Sequence, residues 1–458
     1  MGKNMELIIR NGIVVFPDKI EKADIGVSNG KIAEIAEEIS QDAKEVIDVS
    51  GKYVFPATTD GHVHFDDPGR TEWETIKNGS QSLAAGGGAV FFDMPLNSSP
   101  CTLDKENFEK KLEIARRDSV CDFGLWGGLC PTNLDKLEEL AECGVVGFKA
   151  FSCFSGIDEF PGIDDYTAYK GMQKLKELNL PLMVHCENDG ITRKMTDLKN
   201  VQNKTGIMDY FEAHAPITEI ESISRMITFA EETGCKLIIA HVSTAKGVEL
   251  VTEARKRGVD VSCETIGHYL ILTDEDVERL GTLGKCSPPI RDAGNRQKMW
   301  GKLFSGEITF ISSDHSPSDP KLKEKEFMKA WGGISGCQST LSAVLTHGYH
   351  DRKLMLTKVA ALTASNVNEV FHIEGKGKIR TGYDADFAIV DLDKEYVLDA
   401  ESLFYLHKVS PYVGMKFKGK VAQTIVRGRT IFKDGKITAV SGGKLITPAR
   451  VSQRQDHI

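Results

Sequence analysis

The chain has 458 residues, too many for one ordinary domain but suited to one α/β barrel of about 250 residues plus a smaller unit. Hydrophobic residues are 41% and charged residues 27%, a globular balance that excludes a disordered chain. Lys and Arg number 57 against 66 Asp and Glu, and the formal charge of -9 argues against a nucleic-acid partner and for a small or neutral substrate.

In chain order, the polar start Gly2-Lys3-Asn4 lacks the apolar core of about 7–15 residues that a signal peptide needs. Glu6 breaks the myristoylation pattern that Met1-Gly2 begins. The first 55 residues read as short strands. Leu7–Val15 is predicted as strand, turn, strand around Asn11-Gly12, and Ile25–Ile32 repeats the pattern around Asn29-Gly30. The far end behaves alike, with strands at Asp386–Val390 and from Thr424 through Arg429. Neither end is long enough for a good core alone, so residues 1–55 and 375–458 are expected to pair into one small β-sandwich domain.

Residues 56–374 alternate strands with amphipathic helices. Eight apolar runs end near His64, Asp93, Leu125, Lys149, His185, His241, Glu264 and Asp314. Asn133 is predicted to cap a helix carrying Leu137 and Leu140 that Gly144 ends. Thr218-Glu219-Ile220-Glu221 is read as a capping box, with Ile220, Ile223 and Ile227 on the inward face behind it. Eight βα units predict an α/β fold, a (β/α)8 TIM-like barrel, whose active site lies at the C-terminal strand ends. No apolar run reaches the ~18 residues of a membrane span. Ten cysteines form no C-x-x-C pair, which removes the zinc-ribbon and thioredoxin readings and suits a reduced, cytoplasmic protein without a membrane partner.

Those strand ends carry His62-Val63-His64, Gly147-Phe148-Lys149, Val184-His185, Ala240-His241 and Ser313-Asp314. Residues two apart on a strand share a face, so His62 and His64 can serve one ion. A single histidine at a strand end is most often a structural hydrogen-bonder; five strand ends in agreement favour metal. Four His and one Asp are too many for one catalytic zinc with an open position and too few for two ions without a bridge. The Lys149 ammonium would be repelled by two cations. Carbamylation by CO2 turns it into an anionic carboxylate able to bridge both, so Lys149 is read as N6-carboxylysine. The plainer alternative is a lysine that leaves the site or pairs with Asp314.

With these residues the chain resembles the cyclic amidohydrolases of the metal-dependent amidohydrolase superfamily, the group of hydantoinases, dihydropyrimidinases and dihydroorotases. The likeness runs from Asn11-Gly12 through the His62, Lys149 and Ser312-Ser313-Asp314-His315 motifs to Gly382-Tyr383-Asp384-Ala385-Asp386. It implies two zinc ions per subunit, with Co, Mn or Fe possible. His62, His64 and Asp314 would hold one, His185 and His241 the other, and carboxylated Lys149 and a hydroxide would join them. Asp314 would act as general base, then general acid, in opening a cyclic amide. A homotetramer is also implied.

The segments Asp67–Glu74, Val184–Asn188, Lys285–Arg291 and Met328–Gly333 point, within that group, to a small neutral cyclic ureide as substrate. Dihydroorotases follow their His-x-His with Phe-Arg to grip a carboxylate; here Phe65-Asp66 would repel one and suit N–H donors instead. Hydantoinases place a Tyr after the bridging Lys, whereas this chain has none before Tyr166. Asp66, Arg70, Ser287, Trp331 and Gly332 are the candidate substrate contacts, Trp73 a rim residue, and Ser152–Tyr166 a candidate lid. The group's Glu-Thr-Cys-Pro-His-Tyr pattern is altered to Glu264-Thr265-Ile266-Gly267-His268-Tyr269, and a usual Thr-Thr pair to Ala89-Val90; His268 is not expected to ligate. The reading of a different class is an inactive interaction scaffold on the same fold, which metal analysis would separate from an enzyme.

Overall fold

Short β-rich runs bounded by Asn, Asp and Gly become strands β1 (Met5–Val15), β2 (Ile20–Ser28), β3 (Lys31–Ala36), β4 (Ala43–Asp48) and β5 (Tyr53–Pro56). The central strands are β6 (Thr58–Val63), β7 (Gly88–Asp93), β8 (Asp122–Leu125), β9 (Gly127–Gly128), β10 (Phe148–Phe151), β11 (Leu182–His185), β12 (Leu237–Ile239), β13 (Val261–Ile266) and β14 (Phe310–Ser312). The last are β15 (Phe387–Val397), β16 (Lys416–Val426), β17 (Arg429–Lys433) and β18 (Lys436–Ile437). This computed structural model describes residues 5–449; Gly2-Lys3-Asn4 and residues 450–458 lie outside them.

The two ends of the chain meet in one nine-stranded sheet, ordered β18-β17-β16-β15-β5-β1-β2-β3 with β4 on β1. The period of two along β15 shows how this sheet serves two cores. Phe387 and Ile389 point into the sheet's own core with Leu7, Ile25 and Val54. Ala388 and Val390, between them, pack on the barrel core.

The middle of the chain is the barrel. Strands β6-β7-β8 pair in parallel, as do β9 through β14. Hydrogen bonds from Val146 N to Leu125 O (3.0 Å) and from His64 N to His315 O (2.7 Å) close the ring. Strands β6 to β12 are buried along their whole length, as parallel strands covered on both faces must be. Among the described residues no helix is long and apolar enough to cross a membrane. All ten cysteines are free thiols, nine of them buried.

Three local expectations are corrected. Asn11-Gly12 makes no turn: β1 runs straight through it with a bulge against β2, where Asn11 takes φ 60° and its N–H meets Asp24 Oδ1. Pairing with β2, β4 and β5 holds that segment extended. The tight hairpins lie at Asn29-Gly30 (φ 53° and 71°) and Arg427-Gly428 (φ 47° and 73°), where both central residues need the left-handed region. Thr218 caps nothing, because Pro216 starts the helix Pro216–Thr233 two residues earlier and Thr218 Oγ1 donates to Ala215 O. Asn133 does not cap with its side chain; its amide is spent on Cys130 N, Leu103 O and Gly128 O. Gly144 does end the helix Leu137–Cys143, at φ 91°.

Candidate active site

The barrel brings the strand-end residues to one point. His62 lies near the end of β6 and His64 just past it; their Nε2 atoms stand 3.3 and 3.5 Å from Asp314 Oδ1, beyond β14. His185 ends β11, and its Nδ1 is 3.1 Å from Nε2 of His241, beyond β12. The His62 and His241 rings, 5.4 Å apart, join the two groups. Ligand atoms of a tetrahedral ion with bonds of about 2.0–2.1 Å stand roughly 3.3 Å apart, so both spacings fit a cation.

Carboxylates behind the rings decide which nitrogen faces inward. Glu264, near the end of β13, sets Oε2 2.9 Å from His62 Nδ1, and the same oxygen accepts His241 N–H at 2.8 Å. Glu187 sets Oε2 2.8 Å from His185 Nε2. A carboxylate only accepts, so the protons sit on those outer nitrogens and the inner lone pairs face the common centre. Burial pushes the pKa of His64 and His185 down and that of His241 well down, which keeps the lone-pair form. Sequence reading assigned no role to Glu264 or Glu187. Their signal was present: Glu264 closes barrel strand seven, and Glu187 shares a face with His185 two residues before it.

Lys149 on β10 is fully buried, and its Nζ has no hydrogen-bond partner among the described residues. Burial pushes its pKa down to about 8, against the pull of Glu264 and Asp314. A buried, unpartnered amine is costly. His62, His64 and Asp314 offer ligand atoms close enough together to hold a metal ion, so the residues present fit a metal site.

Asp314 is pulled two ways. Burial raises its pKa, but the His62, His64 and His241 rings hold the carboxyl well below the ordinary range. Its backbone φ is 46° and that of His241 is 32°, left-handed values that cost free energy for residues with a Cβ. The Asp60 carboxylate helps to hold this turn by accepting from Ser313 N at 3.1 Å.

A cavity of about 430 Å³ opens over these groups, lined by the four histidines and Asp314 and walled by Asn97, Phe154, His214, Ser287, Trp331 and Gly332. A broader depression of about 900 Å³ along the helix Lys105–Asp118 holds none of them and is lined by surface charges. Of the candidate substrate contacts, Ser287, Trp331 and Gly332 line this cavity. Asp66 and Arg70 are not among the residues that line the cavity. Asp66 is buried, without a partner for either oxygen among the described residues, and burial raises its pKa well above the ordinary value. Arg70 works behind the wall: it pairs with Glu159 at 2.7 Å, its guanidinium lies 5.2 Å from the Trp73 ring, and Trp73 meets Trp331 at 4.8 Å. Of the candidate lid, Phe154, Ser155 and Gly156 line the cavity, while Tyr166 stands on the helix Asp165–Leu178. His268 is buried away from the cavity lining with neither ring nitrogen partnered among the described residues.

A barrel with histidines, an aspartate and a buried lysine at its strand ends defines a metal-dependent hydrolase, and residues 53–431 match the model of the amidohydrolase family. The chain belongs to that family. It is 68% identical over 443 residues to an allantoinase of Desulfitobacterium hafniense (strain Y51), covering 97% of this chain and 99% of that protein. It is 45% identical over 446 residues to an allantoinase of Deinococcus radiodurans, covering 97% and 99%. Among solved structures, L-hydantoinase (dihydropyrimidinase) from Arthrobacter aurescens superposes with a TM-score of 0.94 at 32% identity, covering 97% and 100% of the two chains.

Proposed function

We propose that this protein hydrolyses the hydantoin ring of allantoin to give allantoate, a step of purine and ureide degradation. The observation that carries the chemistry is the convergence of four histidine rings and the Asp314 carboxylate at the barrel mouth, with Lys149 buried and its Nζ without a hydrogen-bond partner among the described residues. The identity to allantoinases, higher than to the hydantoinase of known structure, supports the choice of ring.

His62, His64 and Asp314 would hold one divalent cation, His185 and His241 a second, and Lys149 as N6-carboxylysine both. Such ions acidify water and polarise an amide carbonyl. Zinc suits the His and carboxylate donor set, and Co, Mn or Fe would be accepted as well. Asp314, held as carboxylate by the rings beside it, takes the proton released in the attack and returns it to the ring nitrogen that leaves. Glu264 and Glu187 keep His62 and His185 in the required tautomers. Ser287, Trp331 and Gly332 offer main-chain groups to the substrate from the wall. The ten free cysteines suit the cytoplasm, and a homotetramer is the assembly proposed, which sedimentation would check.

The deciding experiment is kcat/KM for allantoin, hydantoin, dihydrouracil and dihydroorotate on protein reconstituted with metal and bicarbonate. Allantoin should lead, and preference for another ring would overturn the assignment. Bound metal near two ions per chain should accompany activity; a metal-free chain would favour the scaffold reading.

A further inference from the structure

Glu187 is buried, 1% exposed, yet it serves three side chains at once. Oε2 faces His185 Nε2 at 2.8 Å and accepts from Ser287 Oγ at 2.6 Å, while Oε1 faces His214 Nδ1 at 2.6 Å. His214 follows the helix Ile207–Ala213 and lines the cavity. It is held firmly. Its ring lies 4.3 Å from the Tyr210 ring, and its carbonyl accepts from Arg291 Nη1 at 2.7 Å. With Nδ1–H given to Glu187, the remaining polar atom of the ring is Nε2. A neutral imidazole that donates at Nδ1 accepts at Nε2.

We propose that His214, oriented by Glu187, determines specificity by accepting an N–H of the substrate's ureido arm. This inference rests on the allantoin reading. Allantoin is hydantoin with a ureido group on its saturated ring carbon, so that arm is the whole difference between the two substrates. An acceptor for its N–H groups was expected at Asp66, which does not line the cavity. His214 supplies one on the wall, a single carboxylate away from His185. Glu187 is then a positioning residue for both, coupling arm recognition to the His185 side of the metal site.

The test uses the metal-loaded full chain. kcat and KM are measured for allantoin and hydantoin on the wild type, His214→Phe, His214→Gln and Glu187→Gln, with metal content and the half-time of metal loss to a chelator. His214→Phe should lower the allantoin-to-hydantoin ratio of kcat/KM by about tenfold or more, as loss of one hydrogen bond in a closed site does, with metal content unchanged. His214→Gln, whose amide reaches the place of Nε2, should retain more of that ratio than Phe. Glu187→Gln should lower the ratio and also shorten metal retention. An equal fall for both substrates, a loss of metal in His214→Phe, or Gln no better than Phe overturns the proposal. A wild type that prefers hydantoin instead overturns the allantoin reading, whatever the variants do.

Discussion

Lys149 is the residue on which the site turns. Its amine is buried without a hydrogen-bond partner among the described residues, and burial lowers its pKa to about 8. An amine must be neutral to add CO2, so the environment that makes an ammonium unfavourable also favours the modification. Zinc reconstitution of metal-stripped protein should depend on bicarbonate; equal recovery of metal and activity in CO2-free buffer would remove the bridge. Asp314→Asn keeps the size of the side chain but removes the proton acceptor. It should lower kcat by about 10²–10⁴-fold while metal analysis still finds bound ions. Near-normal kcat would take Asp314 out of the chemistry.

At the scale of elements, the wall segment Phe327–Gly333 is pinned by two lysines, Lys285 buried and Lys323 partly buried. Lys285 Nζ donates to Met328 O (2.9 Å) and Ala330 O (2.7 Å), and Lys323 Nζ to Gly333 O (2.8 Å). Burial lowers their pKa from the ordinary 10.5 to about 7 and about 8. Between about pH 7 and 10.5 the unfolded chain therefore holds protons that the folded chain lacks. Stability from these groups rises with pH across that window, and each fully mismatched proton contributes a slope of about 1.4 kcal/mol per pH unit. Urea midpoints from pH 7.5 to 9.5 should climb less steeply in Lys285→Met than in the wild type; parallel curves would refute the assignment.

For the whole molecule, the barrel and the terminal sheet are joined by a buried charge cluster. Lys376 Nζ meets Asp122 of β8 at 2.6 Å, Asp386 at 2.7 Å and Asp384 at 2.9 Å. Lys376→Met would leave three carboxylates facing one another, with Arg427 still beside Asp122 and Lys31 beside Asp384. Breaking a buried pair in this way costs about 3–5 kcal/mol, which urea unfolding would read; a loss below about 1 kcal/mol would show the cluster relaxes without it. Chelation should likewise destabilise the chain, because ions that bind only the folded state add about 2.7 kcal/mol at a hundredfold excess over Kd. An unchanged Tm after metal removal would contradict a site spread over five barrel strands.

The barrel, the joining of the two chain ends in one sheet, and the ligand candidates were legible in the sequence because they rest on local periodicity and on which residue ends each apolar run. His62, His64, Lys149, His185, His241 and Asp314 each close such a run, and barrel geometry puts every such end on one face. Local signals failed where long-range contacts outweighed them. Asn11-Gly12 carries hairpin chemistry, yet three neighbouring strands hold it extended as a bulge. Asp66 sits two residues past the candidate ligand His64, yet the left-handed φ of 63° there goes with a carboxylate buried away from the cavity. Only the folded chain pairs Glu264 with His62 across 202 residues and Glu187 with His214 across 27. The candidate ligands are set by strand position, which a linear pattern records; the carboxylates behind their rings and the wall of the cavity are set by contacts between segments distant in the chain, which it does not.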